Sequence, residues 1–152
     1  MNHSDFLVLG FNHTSFTVSQ IESLKEYFCD ILGFQLLSHA PRDKKTIQQI
    51  TQVEGADIEV AFLQGPGHTI ELIEYLEPED KEKIVSRPCD AGFAHIALDV
   101  NDIFAAIKAS KPFGFFPLGT PVVIGQGPNK GSRVAYLRND DGVNIEFIEK
   151  QQ

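Results

Sequence analysis

An α+β protein made of two tandem β-α-β-β-β modules is the fold class that the sequence predicts. Three observations carry that expectation. The segments HTSFTV at 13–18 and HIALDV at 95–100 each lead into a helical pattern. The pair VAFL at 60–63 and IELIE at 70–74 recurs as VAYL at 134–137 and IEFIE at 145–149. An acidic, proline-containing stretch at 77–88 separates the two halves. Elements that recur in the same order identify a structural unit before any one of them is assigned.

The elements follow in chain order. The first strand carries His13, and a helix follows it, opened by the capping box Ser19-x-x-Glu22, in which each side chain can satisfy a free backbone N–H of the other residue. Ile21, Leu24, Phe28, Ile31 and Leu32 recur at helical spacing, and Gly33 supplies the left-handed residue that ends many helices. A strand is expected near residues 34–38, then a hairpin turning at residues 65–67. In the second half, His95 stands six residues before the expected cap Asn101, as His13 does before Ser19. Ile103, Ala106 and Ile107 form the inner face of a shorter helix that Pro112 stops. A strand near residues 115–118 and a hairpin turning at Asn139, Asp140, Asp141 and Gly142 complete the repeat.

A chain of 152 residues suffices for one compact domain, or for two small modules sharing a core, but not for two ordinary independent domains. The expected division is one domain over residues 1–152, with module 1 at about 7–76, a linker at about 77–92 and module 2 at about 93–150. Apolar content of 42% and charged content of 22% mark an ordered globular chain. The net charge of −8, with no basic stripe, repels phosphate backbones and anionic membrane surfaces, so no nucleic-acid or membrane partner is expected. Cys29 and Cys89 form neither a Cys-x-x-Cys pair nor a disulfide framework. The apolar run at 6–9 is too short to span a bilayer, and no basic-then-apolar leader precedes it, so a cytoplasmic location is expected.

Alternation along strands gives the direction of the candidate functional side chains. Ile96, Leu98 and Val100 share one face and His95 takes the other; Phe16 and Val18 oppose His13. Ile70 and Leu72 oppose Glu71, as Ile145 and Phe147 oppose Glu146. Any one polar residue there is what a half-solvated antiparallel sheet shows. The repeat of the same His and the same Glu in both modules is what marks His13, Glu71, His95 and Glu146 as a set, which pairing the modules face to face would gather around one axis. Two imidazoles and two carboxylates suit one borderline divalent ion such as nickel, cobalt, zinc, manganese or iron, with open positions of the kind a catalytic site keeps.

With HT at 13–14, SLKEYFCDILG at 23–33, IEL at 70–72, AHIALDV at 94–100 and DGVNIEF at 141–147, nearly the whole chain resembles the vicinal oxygen chelate superfamily. That superfamily includes glyoxalase I, methylmalonyl-CoA epimerase, extradiol dioxygenases and fosfomycin or bleomycin resistance proteins. The resemblance implies a half-open cupped sheet with the ion inside, a homodimer, and a small-molecule substrate presenting two adjacent oxygens. The four filled positions match glyoxalase I, which implies a lyase or isomerase that moves a proton next to a carbonyl by way of an enediolate. It further implies Glu146 as general base, with Glu71 as ligand and partner for the opposite face. Thr17 and Tyr75 stand where bacterial glyoxalase I has an Arg and an Asn that help hold glutathione. An enolising isomerase like methylmalonyl-CoA epimerase is therefore the alternative, followed by a metal-dependent dioxygenase or a resistance-type binding protein.

Other features are assigned to structure. The glycine-rich loop at 125–131, with Lys130, lacks the following helix of a phosphate loop and reads as a surface turn. Phe113, Phe115 and Phe116 read as core. His3, His39 and His68 have no counterpart in the other half and are left out of the site.

Overall fold

The structure is a computed structural model, and it describes residues 6–151. Module 1 runs β1 (Thr14–Thr17), α1 (Ile21–Glu26), β2 (Gln35–Pro41), α2 (Lys44–Thr51), β3 (Asp57–Gly65) and β4 (His68–Glu77). Module 2 runs β5 (Ile96–Val100), α3 (Ile103–Ser110), β6 (Phe116–Pro117), β7 (Val122–Val123), β8 (Arg133–Arg138) and β9 (Asn144–Glu149). The first sheet has the order β1-β4-β3-β2 and the second β5-β9-β8-β6, with β7 also on β8. In each, the first strand runs parallel to the last and the remaining pairs are antiparallel. The two β-rich halves expected from the repeat are present, with one addition and several shifts.

The addition is α2, which the sequence reading left inside a strand-to-hairpin connection. Asp43 caps it by accepting the Thr46 N–H at 2.8 Å. None of its residues is buried, so it leaves no broad apolar stripe by which it could have been recognised. In module 2, β6 is only two residues long, with Leu118 N–H donating to Tyr136 C=O at 2.9 Å just beyond it.

Both expected helix caps move by one residue, from Ser19 to Gln20 and from Asn101 to Asp102. The capping box does not form. Ser19 turns outward to Asp141, donating its backbone N–H at 2.8 Å and its hydroxyl at 2.7 Å, and Glu22 pairs with Lys25. The free Ile21 N–H is taken instead by Glu74 Oε2 at 2.7 Å, and the equivalent Ile103 N–H by Glu149 Oε2 at 3.1 Å. The second glutamate of each IExxE segment therefore binds the positive end of its own module's helix.

The first helix also changes pitch. Residues Tyr27–Ile31 form a π-helical turn, in which Leu32 N–H reaches back to Tyr27 C=O at 3.1 Å. The wider turn carries both Tyr27 and Phe28 inward, each fully buried, and leaves Ile31, expected on the inner stripe, exposed. Gly33 then ends the segment at φ +73°.

One core joins the modules. Ile21, Leu24, Tyr27, Phe28, Ile70 and Leu72 of the first half pack in the same cluster as Ile103, Ile107, Phe115, Leu137, Ile145 and Phe147 of the second. Tyr27 is the hinge pin of this contact: its ring stacks on Phe115 with centroids 4.5 Å apart. Its hydroxyl lies 2.9 Å from Ser110 Oγ. Ser110 Oγ spends its own hydrogen on Ala106 C=O at 2.7 Å, so Tyr27 is the donor. Burial pushes the Tyr27 phenol up to about 12 against the weaker opposing pull of Ser110. Asp141 of the second hairpin, bonded to Ser19 and 3.1 Å from Lys83 of the linker, closes the junction.

Candidate metal centre

The apolar members of β4 and β9 face the helices, so alternation places Glu71 and Glu146 on the open faces of the sheets. Register then repeats with no offset. Ser15, two residues after His13, lies beside Glu71, and Ala97, two after His95, lies beside Glu146. Across the antiparallel neighbour, Phe62 faces Glu71 and Tyr136 faces Glu146.

His13 Nε2 stands 3.2 Å from Glu71 Oε2, and His95 Nε2 stands 3.2 Å from Glu146 Oε2. Both imidazoles are 32% exposed, the carboxylates 14% and 16%, so each pair is open to a small molecule while its carboxylate is largely shielded from bulk water. Each imidazole also meets an aromatic ring edge-on, His13 against Phe62 at 5.5 Å and His95 against Tyr136 at 4.8 Å between centroids. Burial, and then the charge of Glu146, pushes the Tyr136 phenol up from its ordinary value.

The spacing within each pair is that of two neighbouring ligands of an ion as well as that of an ordinary ion pair. Two ligand atoms about 2.1 Å from a metal and 90° to 109° apart stand roughly 3.0–3.4 Å from each other, the range in which both pairs fall. At His13, Asn12 Oδ1 lies 2.6 Å from Nδ1; a proton held there leaves the Nε2 lone pair available, the outer contact that orients a ligating imidazole.

The structure brings the four expected residues together two by two. Among the described residues no group of three or more His, Cys, Asp and Glu side chains is placed to hold an ion. Within one chain the modules meet through the helix-side core around Tyr27, and each open face keeps its own half-set. The face-to-face gathering of all four expected from the repeat is not formed inside a single chain.

The residues left out of the site have other partners. His39 lies between Glu59 at 3.0 Å and Glu22 at 3.5 Å, tying α1 to the β2–β3 pair. His68 contacts Thr14 Oγ1 at 2.8 Å, and His3 lies outside the described residues. Phe115 is core and Phe113 packs against it, but Phe116 is exposed, contrary to expectation. The loop at 125–131 is closed by its own backbone, with Lys130 N–H on Gly127 C=O and Gly131 N–H on Ile124 C=O. Thr17 and Tyr75 share a cleft of about 560 Å³ with Glu74 and the linker residues Lys81, Lys83 and Ile84. The helix-capping role of Glu74 and Glu149 was missed by sequence reasoning, although their repetition three residues beyond Glu71 and Glu146 was the available signal.

The chain is 30% identical over 144 residues to a 2-epi-5-epi-valiolone epimerase from an Actinomyces species, a match spanning 90% of this chain and 77% of that protein. It is 27% identical to the lactoylglutathione lyase of Haemophilus influenzae, spanning 91% of each. A solved glyoxalase family protein from Bacillus cereus shares the fold with a TM-score of 0.82 at 21% identity, covering 98% of this chain and 99% of that one. The glyoxalase/bleomycin resistance protein/dioxygenase superfamily matches residues 10–147, and the chain belongs to it.

Proposed function

We propose that the protein is a divalent-metal-dependent lyase or isomerase of the glyoxalase type, which moves a proton at a carbon next to a carbonyl. The observation that carries this reading is the duplicated pair, an imidazole nitrogen and a carboxylate oxygen 3.2 Å apart in each module. His13, Glu71, His95 and Glu146 are the proposed ligands. A nickel, cobalt, zinc, manganese or iron ion would supply positive charge to a substrate's two adjacent oxygens as negative charge develops on them. Glu146 is the proposed base that takes the proton, and Glu71, on the equivalent strand of the other half, is the proposed partner for the opposite face of the substrate. Phe62 and Tyr136 flank the reacting region and exclude water from one side of each carboxylate. A homodimer completes the centre: the half-set of module 1 in one copy meets that of module 2 in the other, which accounts for two matched, separate pairs within one chain.

A second reading, an epimerase acting on a hydroxyketone or acyl thioester, is favoured by the epimerase relative at 30% identity and by Thr17 and Tyr75 in the places noted for glutathione. Both readings share the same proton abstraction. The net charge of −8 and the two free cysteines accord with a cytoplasmic enzyme. Among the described residues no helix is long and apolar enough to cross a membrane.

Metal content of protein purified without chelator tests the centre, with solvent deuterium exchange into 2-oxo thiohemiacetals, hydroxyketones and acyl-CoA esters testing the chemistry. Glu146→Gln is expected to slow exchange by roughly 10²- to 10⁴-fold. His13→Ala and Glu146→Ala are each expected to be inactive alone. Unfolded and refolded together in equal amounts, they should recover about a quarter of the unaltered activity, because only mixed dimers hold one intact centre. No recovery would refute assembly across two copies. Absence of any divalent ion under all loading conditions would refute the enzyme reading.

A further inference from the structure

The aromatic residues of the two half-sets, Phe62 and Tyr136, differ at one atom. In both modules the residue directly across the ladder from the site glutamate is aromatic, and in both it packs edge-on against the site imidazole. In module 1 it is Phe62, facing Glu71 and His13; in module 2 it is Tyr136, facing Glu146 and His95. A ring packs on each imidazole at that place, and in module 1 a phenylalanine supplies it. The Tyr136 hydroxyl is surplus to that packing role.

Elsewhere the chain uses a buried phenol's hydrogen in a defined bond, as Tyr27 does with Ser110. Tyr136 is half-buried, and its hydroxyl has no hydrogen-bond partner among the described residues. A phenol titrates near 10 in the ordinary case, so at neutral pH it is a donor beside a carboxylate-bearing strand on an open face.

We propose that Tyr136 contacts the substrate and donates its phenolic hydrogen to one of the substrate's two neighbouring oxygens. This deepens the function proposed above and rests on it. Phe62, the equivalent ring in module 1, has no hydroxyl to donate, so the Tyr136 contact favours the orientation of the substrate that brings an oxygen to the module 2 side, its acidic C–H toward Glu146. The ligand class is a small molecule with two adjacent oxygens, at least one of them gaining negative charge.

The test uses the full chain loaded with cobalt(II) and acetohydroxamate, a two-oxygen chelator, as the probe. Cobalt uptake and the change in visible absorption on adding the probe are measured for the unaltered protein and for Tyr136→Phe. The variant reproduces the aromatic residue found at the equivalent place in module 1, and its melting temperature reports folding. The proposal expects full cobalt uptake in the variant, with probe affinity weakened roughly 10- to 100-fold, the loss of one hydrogen bond to a charged oxygen. Equal probe affinity in the two proteins overturns the role of Tyr136 and leaves the metal centre standing. Loss of cobalt from Tyr136→Phe would show that the residue supports the ligands, also overturning it. Failure of the unaltered protein to take up cobalt removes the function reading and this one with it.

Discussion

Tyr27 offers the most direct test of how the two modules are held together. Tyr27→Phe deletes only the hydroxyl that donates to Ser110 Oγ at 2.9 Å in a fully buried position. A buried hydrogen bond contributes about 0.5–1.5 kcal/mol, and leaving its partner unsatisfied costs more. Ser110 keeps Ala106 C=O as its own acceptor, so the expected loss is about 1 kcal/mol. Unfolding entropy of about 2.1 cal/mol/K per residue over 152 residues converts that to a fall in Tm of about 3 °C. Tyr27→Ala also removes the ring stacked on Phe115 and close to Phe28 and Phe113, an aromatic truncation that costs about 3–5 kcal/mol, or roughly 10–15 °C on the same scale. Differential scanning calorimetry measures both, and each variant is expected to melt in one transition because the core is shared. A Tyr27→Ala protein melting within 3 °C of the unaltered chain, or unfolding in two separate steps, would refute the single-core account.

Two further predictions concern the junction between hairpin and linker. Gly142 has φ +79°, and a Cβ there would lie 2.2 Å from the backbone oxygen of Ile84. Gly142→Ala is therefore expected to cost at least about 1–2 kcal/mol in left-handed strain, to dislodge the linker and to speed proteolytic cleavage within residues 78–93, read by gel and mass spectrometry. Asp141 is the pH-sensitive member: burial pushes its carboxyl up, but the Ser19 backbone and hydroxyl bonds and Lys83 outweigh this and hold it below the usual range. A depressed folded pKa gives stability that is fully present above the unfolded value of about 3.9 and is lost as pH falls through the folded value. The Tm difference between the unaltered chain and Asp141→Asn should thus be largest near neutrality and shrink below about pH 4; a difference that stays constant into acid would disprove the charge-based clamp.

The repeat made much of this molecule legible from sequence, because duplication provides two independent views of each element. His13 and His95, Glu71 and Glu146, and both hairpins occupy equivalent places, and the structure keeps that equivalence to the residue. What escaped was what each module does differently, or what depends on contacts distant in sequence. Ser19 and Glu22 satisfy the local capping pattern, yet Asp141, 122 positions away from Ser19, takes the serine. The π-helical turn puts Tyr27 inside where a 3.6-residue period places Ile31, and periodicity cannot register a turn of another pitch. Helix α2 belongs to one module only and has no fully buried residue. The separation of His13 and Glu71 from His95 and Glu146 follows from how the modules dock on the Tyr27 side, a relation no local pattern encodes.

Glu71 and Glu74 sit three apart on β4, one facing the open side with His13 and the other holding the first N–H of α1; Glu146 and Glu149 repeat the arrangement on β9. An odd spacing sends the two carboxylates to opposite faces. A strand that paired one residue out of step would carry Glu71 under the helix and turn Glu74 outward, so imidazole partner and helix anchor would be lost together. Each half thereby ties its strand register to its helix: a chain that paired these strands one residue out of step would lose the carboxylate that seats the helix along with the one that faces the imidazole.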